Sequence, residues 1–538
     1  MIIENLNNTQ DCPDLLDRCL AIRPRGRLFV CLILCFDQAT HVARQGGVGY
    51  PKNMLLPSRL FSGTVISTFG RVIGTIISIA TVGIMTRALI GMLGMDDGVR
   101  AYGVYAAALA YLAIVTIFAD GGLYLIFTRE ASRAGADEQK ILEASWLLRL
   151  VAIGATVLVA IVLALILPYQ HAIRVGVLIG VWGIGFQLAS QLFLGVFQKK
   201  LKLLAPAIAE VSGRIVQLLG VVIFAYFQRG IYYFLVAFVL GTIVTFYINL
   251  RGAKKLLNFS LLPRPDWVLL KKLFLEALPM GLSLVLSVIF FKVDSVMLSF
   301  MKPAEDLAYY ALAYKVLESL LFFPAMIGGL LLPIFSQASS EKATGVVPHL
   351  KSSFDLYLFG GLPLAVTLWV LAPSIVRILG GTAFSPAVPA LRVLSLALAV
   401  LFLGNLFGST IVAIGKQKLL VYLYGFLVIV NIVLNSLFIP RYSFMGAAWV
   451  TLITELLSSI LAIGILAKFG VWGIGTKRTP QILLAFIALI VFQFLSWPDY
   501  LRVFGGLIAY SIVLFWLKAV SWSQVKQCLG LKESHVNT

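Results

Sequence analysis

The chain has 538 residues, of which 60% are hydrophobic and only 12% charged. A water-facing surface carries about twice that share of charge, so these proportions exclude a string of soluble domains and leave most of the surface facing lipid. The formal net charge of +19 would suit either nucleic acid or anionic headgroups, and the placement of the cations decides between them.

In chain order, the first 53 residues stand apart. They hold Cys12, Cys19, Cys31 and Cys35, whereas Cys528 is the one cysteine of everything that follows. Leu28 to Phe36 is apolar but far short of the roughly 20 residues that cross a bilayer. No small-residue cleavage site follows it closely, as a signal peptide would need. Two readings compete for residues 1–53: a short interfacial or regulatory tail, or sequence upstream of a true start at Met54. The coherent membrane pattern after Met54 favours the second, with the extension either not translated or disordered. The cysteine spacings suit neither zinc nor a secreted disulfide framework.

From Leu60 onward, apolar runs of about 20 to 28 residues alternate with short polar breaks. The pattern predicts fourteen membrane helices, at 60–86, 103–127, 147–168, 175–197, 203–227, 231–250, 274–300, 307–334, 353–376, 386–414, 419–438, 444–467, 480–497 and 503–520. Backbone groups in hydrocarbon must pair within their own segment, and these runs are too long for barrel strands, so an all-α polytopic bundle is expected.

Lys and Arg concentrate in alternate breaks. One set holds Arg129, Arg133 and Lys140, then Lys199, Lys200 and Lys202, then Arg251, Lys254, Lys255, Arg264, Lys271 and Lys272; the opposite set is sparse, with single residues such as Arg87, Arg174 and Arg229. Basic loops mark the cytoplasmic side, so both termini are expected there. The cations thus read as an orientation signal and an attraction to headgroups, and nucleic acid is not needed to explain them.

Every break is short, the longest running from Arg251 to Leu273, so no ATPase domain fits within them. Gly470 to Lys477 is a poor phosphate loop, because lysine does not follow its second glycine as that motif requires. His41, His171, His349 and His535 all fall outside the spans, with no catalytic or metal-ligand spacing. No enzyme chemistry and no cofactor are expected.

Two stretches recur. Tyr102-Gly103-Val104-Tyr105 precedes the second span, and Ala308-Tyr309-Tyr310 precedes the eighth; Gly195 to Leu201 separates the fourth and fifth, and Gly415 to Leu419 the tenth and eleventh. Both pairs keep their place in a six-helix count. The expected organisation is an extension at 1–53, a six-helix lobe at 54–250, a linker at 251–273, a second parallel lobe at 274–470, and two further helices with a tail at 471–538. Parallel halves are a transporter architecture with the substrate site between lobes.

Gly91-Met92-Leu93-Gly94, Tyr102 to Tyr105, Ala119-Asp120-Gly121-Gly122-Leu123 and Thr128-Arg129-Glu130 carry a resemblance, as do Phe291-Lys292-Val293-Asp294, Tyr309 to Lys315, and Pro333-Ile334-Phe335-Ser336. From about residue 59 to 470 the chain resembles the polysaccharide transporter family of the multidrug/oligosaccharidyl-lipid/polysaccharide exporter superfamily. That resemblance implies two lobes forming a V around a central cavity, in a bacterial or archaeal plasma membrane. It implies flipping of an undecaprenyl-diphosphate-linked oligosaccharide to the outer leaflet, with polysaccharide polymerase and glycosyltransferases as partners. An ion-coupled multidrug exporter on the same architecture is the alternative. A membrane-embedded glycosyltransferase or polymerase fits less well, because such enzymes need a large loop or clustered catalytic residues.

Ionisable residues inside spans cost roughly 3 kcal/mol or more in lipid, so each should face a cavity or a partner. The cations are Arg71, Arg214, Lys292 and Lys315; the anions are Asp120, Glu210, Asp294, Glu318 and Glu455. Arg71 and Arg214 each fall about 16 Å into their spans, near mid-membrane. The guanidinium fork matches a diphosphate and cannot lose its charge, which makes both substrate-binding candidates. Glu210, four residues before Arg214, could instead neutralise it. Lys315 and Glu318 are spaced to pair, while Lys292 and Asp294 point to different faces. These four could form one network that binds sugar hydroxyls or a coupling ion, or that simply locks two helices. Asp120 and Glu455, each without a cation within one turn, are candidates for proton coupling; sodium or the membrane potential are the other candidate energy sources. Pro279 and Pro324 mark either hinges or static kinks.

Overall fold

A computed structural model describes residues 58–517 apart from 121, 134, 201, 262–264, 474 and 477, with the side chains of 58–68, 117–120, 278–280 and 282–284 also outside that set. The expectations for residues 1–53 therefore lie outside the described residues. The described residues up to Tyr510 form one compact unit, and those from Ser511 fall in a second. The described part of the latter is the last turns of a helix.

The described residues are helical throughout, with no strand, as expected for lipid-facing backbone. We label the helices α1 (Ser58–Leu93), α2 (Met95–Asp120), α3 (Leu123–Ala131), α4 (Glu138–Ile166), α5 (His171–Lys199), α6 (Leu204–Tyr226), α7 (Ile231–Lys254), α8 (Trp267–Met301), α9 (Ala304–Leu320), α10 (Phe322–Ala338), α11 (Val347–Gly380), α12 (Ala387–Ala413), α13 (Gln417–Lys468), α14 (Thr479–Phe492) and α15 (Asp499–Trp516).

Eleven helical stretches of the described residues are long and apolar enough to cross a membrane. The difference from fourteen has local causes. The 52-residue α13 contains two expected spans, joined through Ser443, whose φ of 50° breaks the helix where Arg441 and Tyr442 interrupt the apolar run. The 14-residue α14 is shorter than the expected 480–497 and too short for a full crossing. The 35-residue α8 is long enough by rise alone.

Two expected spans are each broken. The second divides at Gly122, where φ is 67°, a left-handed conformation that glycine adopts without steric cost. The eighth divides at Leu321. Pro324 lacks the N–H that would continue the ladder to Leu320, which accounts for a break one turn before it. The hydroxyl of Tyr357 on α11 donates to the carbonyl of Pro324 at 3.1 Å.

Helix pairings recur in the two halves. In α1–α7, α1 packs on α6, α2 and α4 on α5, and α7 on both α5 and α6. In α8–α13, α8 packs on α13, α9 and α11 on α12, and α12 on α13. Close approach uses small residues, as is usual where lipid supplies no hydrophobic drive between helices. A Cβ added to Gly241 of α7 would lie 2.6 Å from the carbonyl oxygen of Gly213 on α6.

The halves meet at two levels. At one end, Thr86 donates to the carbonyl of Leu379 at 2.6 Å, Arg87 reaches the carbonyls of Arg377 and Ile378 at 2.9 Å, and Arg100 pairs with Glu305 at 3.1 Å. At the other, Arg129 and Glu130 at the end of α3 pair with Glu276 and Lys272 of α8. Glu276 is therefore held in an ion pair between the halves.

Candidate functional site

α8 and α9 bring three charged side chains together. Lys292 Nζ lies 2.9 Å from Glu318 Oε1, and Lys315 Nζ lies 3.4 Å from Glu318 Oε2. Lys292 Nζ also sits 5.1 Å from the centroid of the Tyr314 ring. Two ammonium groups sharing one carboxylate leave a net positive charge, and the side chains remain 23% to 39% exposed. Such a group attracts an anion with free oxygens, because each ammonium has donors that one carboxylate does not saturate.

Asp294 belongs to a different environment from its neighbour Lys292. It is buried, at 3% exposure. Its carboxylate accepts from the backbone N–H of Ser295 at 2.7 Å and from the hydroxyl of Tyr310, and Thr451 Oγ1 lies 3.3 Å away. The expected single network of Lys292, Asp294, Lys315 and Glu318 is thus two sites. Helical periodicity explains the split, since residues two apart point about 200° from each other.

From Asp294 a chain of buried polar groups runs into α13. Thr454 Oγ1 lies 3.2 Å from the carbonyl of Thr451, Asn431 donates to Thr454 Oγ1 at 3.5 Å, and Asn435 donates to Asn431 Oδ1 at 2.6 Å. Asn435 is fully buried, and its Oδ1 has no hydrogen-bond partner among the described residues. An orphaned buried acceptor costs about 1–3 kcal/mol. Asn435 Oδ1 is thus a neutral oxygen acceptor left open within the cluster, of the type a hard cation takes. Glu455 is also buried, at 4% exposure, with its Oε2 about 4.0 Å from where a Cβ on Gly404 would stand. No ion pair reaches it among the described residues.

Thr451, Asn431 and Asn435 are not among the ionisable candidates, and Tyr310 enters the sequence reading only as part of the recurring and family-like stretches. Their signal is present nonetheless: Asn431 and Asn435 are four apart in an otherwise apolar run, on one helix face.

In the first half, Arg214 and Glu210 pair at 3.0 Å on α6. A Cβ on Gly74 of α1 would lie 3.1 Å from Arg214 Cδ, so α1 packs against one side of this pair. Arg71, one turn before Gly74, is exposed and has no ion pair or hydrogen bond among the described residues. It stands about 22 Å along α1 from Thr86, and Glu318 stands about 21 Å along α9 from Ala304, so both lie at similar depth below the contact between halves. No hydrogen bond joins Arg71 to the lysine triad among the described residues. Asp120 ends α2, and its side chain lies outside the described residues. No group of three metal-ligating side chains of the His, Cys, Asp or Glu type occurs among the described residues.

The fold and these intramembrane charges define a multi-pass α-helical membrane protein with two similarly packed halves. The model of the family described as "Polysaccharide biosynthesis protein" matches residues 60–339, more than half of the chain, and the chain belongs to that family. The MatE family model matches residues 279–437, and together the two assign the chain to the multidrug/oligosaccharidyl-lipid/polysaccharide exporter superfamily. Solved structures share the fold. The structure described as "Lipid II flippase MurJ, inward closed conformation" matches with a TM-score of 0.69 at 16% identity, over 84% of this chain and 98% of that one. An inward-facing multidrug resistance MATE family transporter matches with 0.56 at 13% identity, over 83% and 99%. An outward-facing one matches with 0.51 at 16% identity, over 77% and 95%. No curated protein sequence matches the chain.

Proposed function

We propose that the protein flips a polyprenyl-diphosphate-linked oligosaccharide across the plasma membrane, by alternating access between its two halves and without catalytic chemistry. The lysine triad carries this reading. Its partly exposed Lys292 and Lys315, held by a single carboxylate, offer a diphosphate positive charge. The exposed Arg71 at similar depth supplies a second contact for the same group. Arg214 is a weaker candidate, since Glu210 already neutralises it. The basic breaks put both termini in the cytoplasm on this reading, where polysaccharide-assembling glycosyltransferases supply the substrate.

The buried polar chain from Asp294 to Asn435 is the site proposed for a coupling cation. Asp294 supplies the charge, and Asn431, Asn435 and Thr451 supply neutral oxygens, of which Asn435 Oδ1 is unused. Sodium suits such a set of hard oxygen ligands; Glu455 is the candidate for a coupled proton. An anionic substrate and a cation bound in neighbouring sites partly offset each other's charge during transit.

The test is flipping of a fluorescent undecaprenyl-diphosphate sugar in proteoliposomes, for the wild type and for Arg71→Ala, Arg71→Lys and Lys292→Ala. Loss of flipping in both alanine variants at equal reconstituted protein is expected. Unimpaired flipping by both would remove the diphosphate reading. The match of the second half to the MatE model favours a second reading, export of small cationic compounds driven through Glu455. Drug efflux that depends on Glu455, with no movement of the diphosphate, would support it.

A further inference from the structure

We infer that Tyr310 and Tyr314 are positioning residues that couple the cation site at Asp294 to the anion site at Lys292; this rests on the coupled-flippase reading above. Within one turn of α8 stand Phe291, Lys292 and Asp294. Two tyrosines one turn apart on α9 hold the flanks of that turn. The hydroxyl of Tyr314 donates to the carbonyl of Phe291 at 2.8 Å, and the hydroxyl of Tyr310 donates to Asp294 Oδ2. Their rings stack at 5.5 Å between centroids with 29° between planes. Lys292 Nζ lies over the Tyr314 ring on its way to Glu318.

A cation at Asp294 needs the lone pairs that Tyr310 now occupies, and Tyr310 is also 3.1 Å from Thr451 Oγ1, a proposed ligand. Its arrival displaces the Tyr310 hydroxyl or recruits it as a further oxygen ligand, and either outcome changes the spacing of Tyr310 from Asp294. Tyr314 follows through the stacked rings, and its hydroxyl, bonded to the Phe291 carbonyl, carries the shift to the turn of α8 that bears Lys292. The ammonium is then shared differently between Glu318, the ring and an incoming anion. Neither hydroxyl is a necessary part of the anion site, because the lysines and Glu318 make their contacts without them. The tyrosines therefore affect how the two sites communicate more than how either binds alone, and linkage makes the effect reciprocal.

The experiment uses the full chain in lipid nanodiscs and undecaprenyl diphosphate as the probe. Its affinity is measured in sodium chloride and in N-methylglucamine chloride at equal ionic strength, for the wild type, Tyr310→Phe and Tyr314→Phe. The wild type is expected to differ about fivefold or more between the two salts, the lower end of ordinary coupling between sites. In each variant the sodium-free affinity should stay within about twofold of wild type while the sodium effect falls below about twofold. Tyr314→Phe is the cleaner variant, since it leaves every hydrogen bond of Asp294 in place. A full sodium effect in Tyr314→Phe would overturn the inference and leave the two sites standing. Absence of diphosphate binding or of any sodium effect in the wild type would overturn the underlying reading, and the inference with it.

Discussion

Lys292 and Asp294 stand two residues apart on α8 and serve different surroundings: Lys292 reaches the half-exposed Glu318 at 2.9 Å, whereas Asp294 is buried among hydroxyl and amide groups. One turn of one helix thus contributes to an open, positively charged site and to an enclosed, oxygen-rich one. A rotation or bend of α8 moves both together, which is the geometric requirement for coupling a transported anion to a cation.

Glu318 restrains the two lysines, so removing it and removing a lysine should act in opposite directions. Lys292→Ala is expected to weaken undecaprenyl diphosphate binding about tenfold or more, the worth of a hydrogen bond to a charged group. Glu318→Gln should strengthen binding, because both ammonium groups become free for the ligand, and slow flipping, because release becomes harder. Equilibrium binding and proteoliposome flipping on the same preparations check this. Weaker binding in Glu318→Gln would mean that the carboxylate shapes the site and does not compete for it.

Asn435 offers a sharper test of the cation site than Asp294, because its replacement leaves no buried charge behind. Asn435→Leu removes an orphaned acceptor and the donor to Asn431 Oδ1. The sodium concentration that half-stimulates flipping should rise about tenfold, as expected for losing one ligand-type contact of roughly 1.4 kcal/mol. Flipping in saturating sodium should approach wild type. An unchanged sodium titration would take Asn435 out of the site.

How much of this was legible in the sequence depends on the kind of interaction. Helix positions follow from hydropathy alone, because the bilayer demands long apolar runs; the breaks at Gly122, Leu321 and Ser443 depend on φ preferences and neighbours, where hydropathy shows only continuous spans or an ordinary loop. Pairs on one helix, Arg214 with Glu210 and Lys315 with Glu318, follow from spacing. The partners that define the sites, Tyr310, Thr451 and Asn435, come from other helices and carry no charge, so neither spacing nor hydropathy singled them out. Ion pairs between halves, such as Arg129 with Glu276, likewise depend on tertiary placement.

Gly241 and Gly213 set the approach of α7 to α6. Gly241→Val places atoms where a Cβ already comes within 2.6 Å of a backbone oxygen, and backbone cannot yield as a side-chain tip can. A destabilisation of about 1–3 kcal/mol is expected, the ordinary cost of overpacking, seen as a lower unfolding temperature in detergent. Gly329, with open space around it, is the control: Gly329→Ala should leave that temperature near wild type. Equal behaviour of the two variants would mean that α6 and α7 separate without cost.

Glu130, outside the membrane spans, gives a pH-dependent contribution whose direction can be derived. It is buried at 4% exposure, between Arg133 at 2.8 Å, Arg129 at 3.2 Å and Lys272 at 3.3 Å, the last on the other half. Burial pushes its carboxyl up, but the hydrogen bond from Lys272 and the charges of Arg133, Lys272 and Arg129 outweigh burial and hold it below the ordinary 4.5. The folded protein then binds this proton less readily than the unfolded chain does. The stabilisation is complete above pH 4.5 and is lost as pH falls through the lower folded value. Because the three cations are about half exposed, its size belongs at the low end of about 1–3 kcal/mol. Glu130→Gln should therefore unfold at a lower temperature than wild type at pH 7, and the two should converge as the buffer is taken below pH 4.5. A gap that persists unchanged at low pH would assign the loss to packing, and would leave Arg129 with Glu276 as the ion pair that joins α3 to α8.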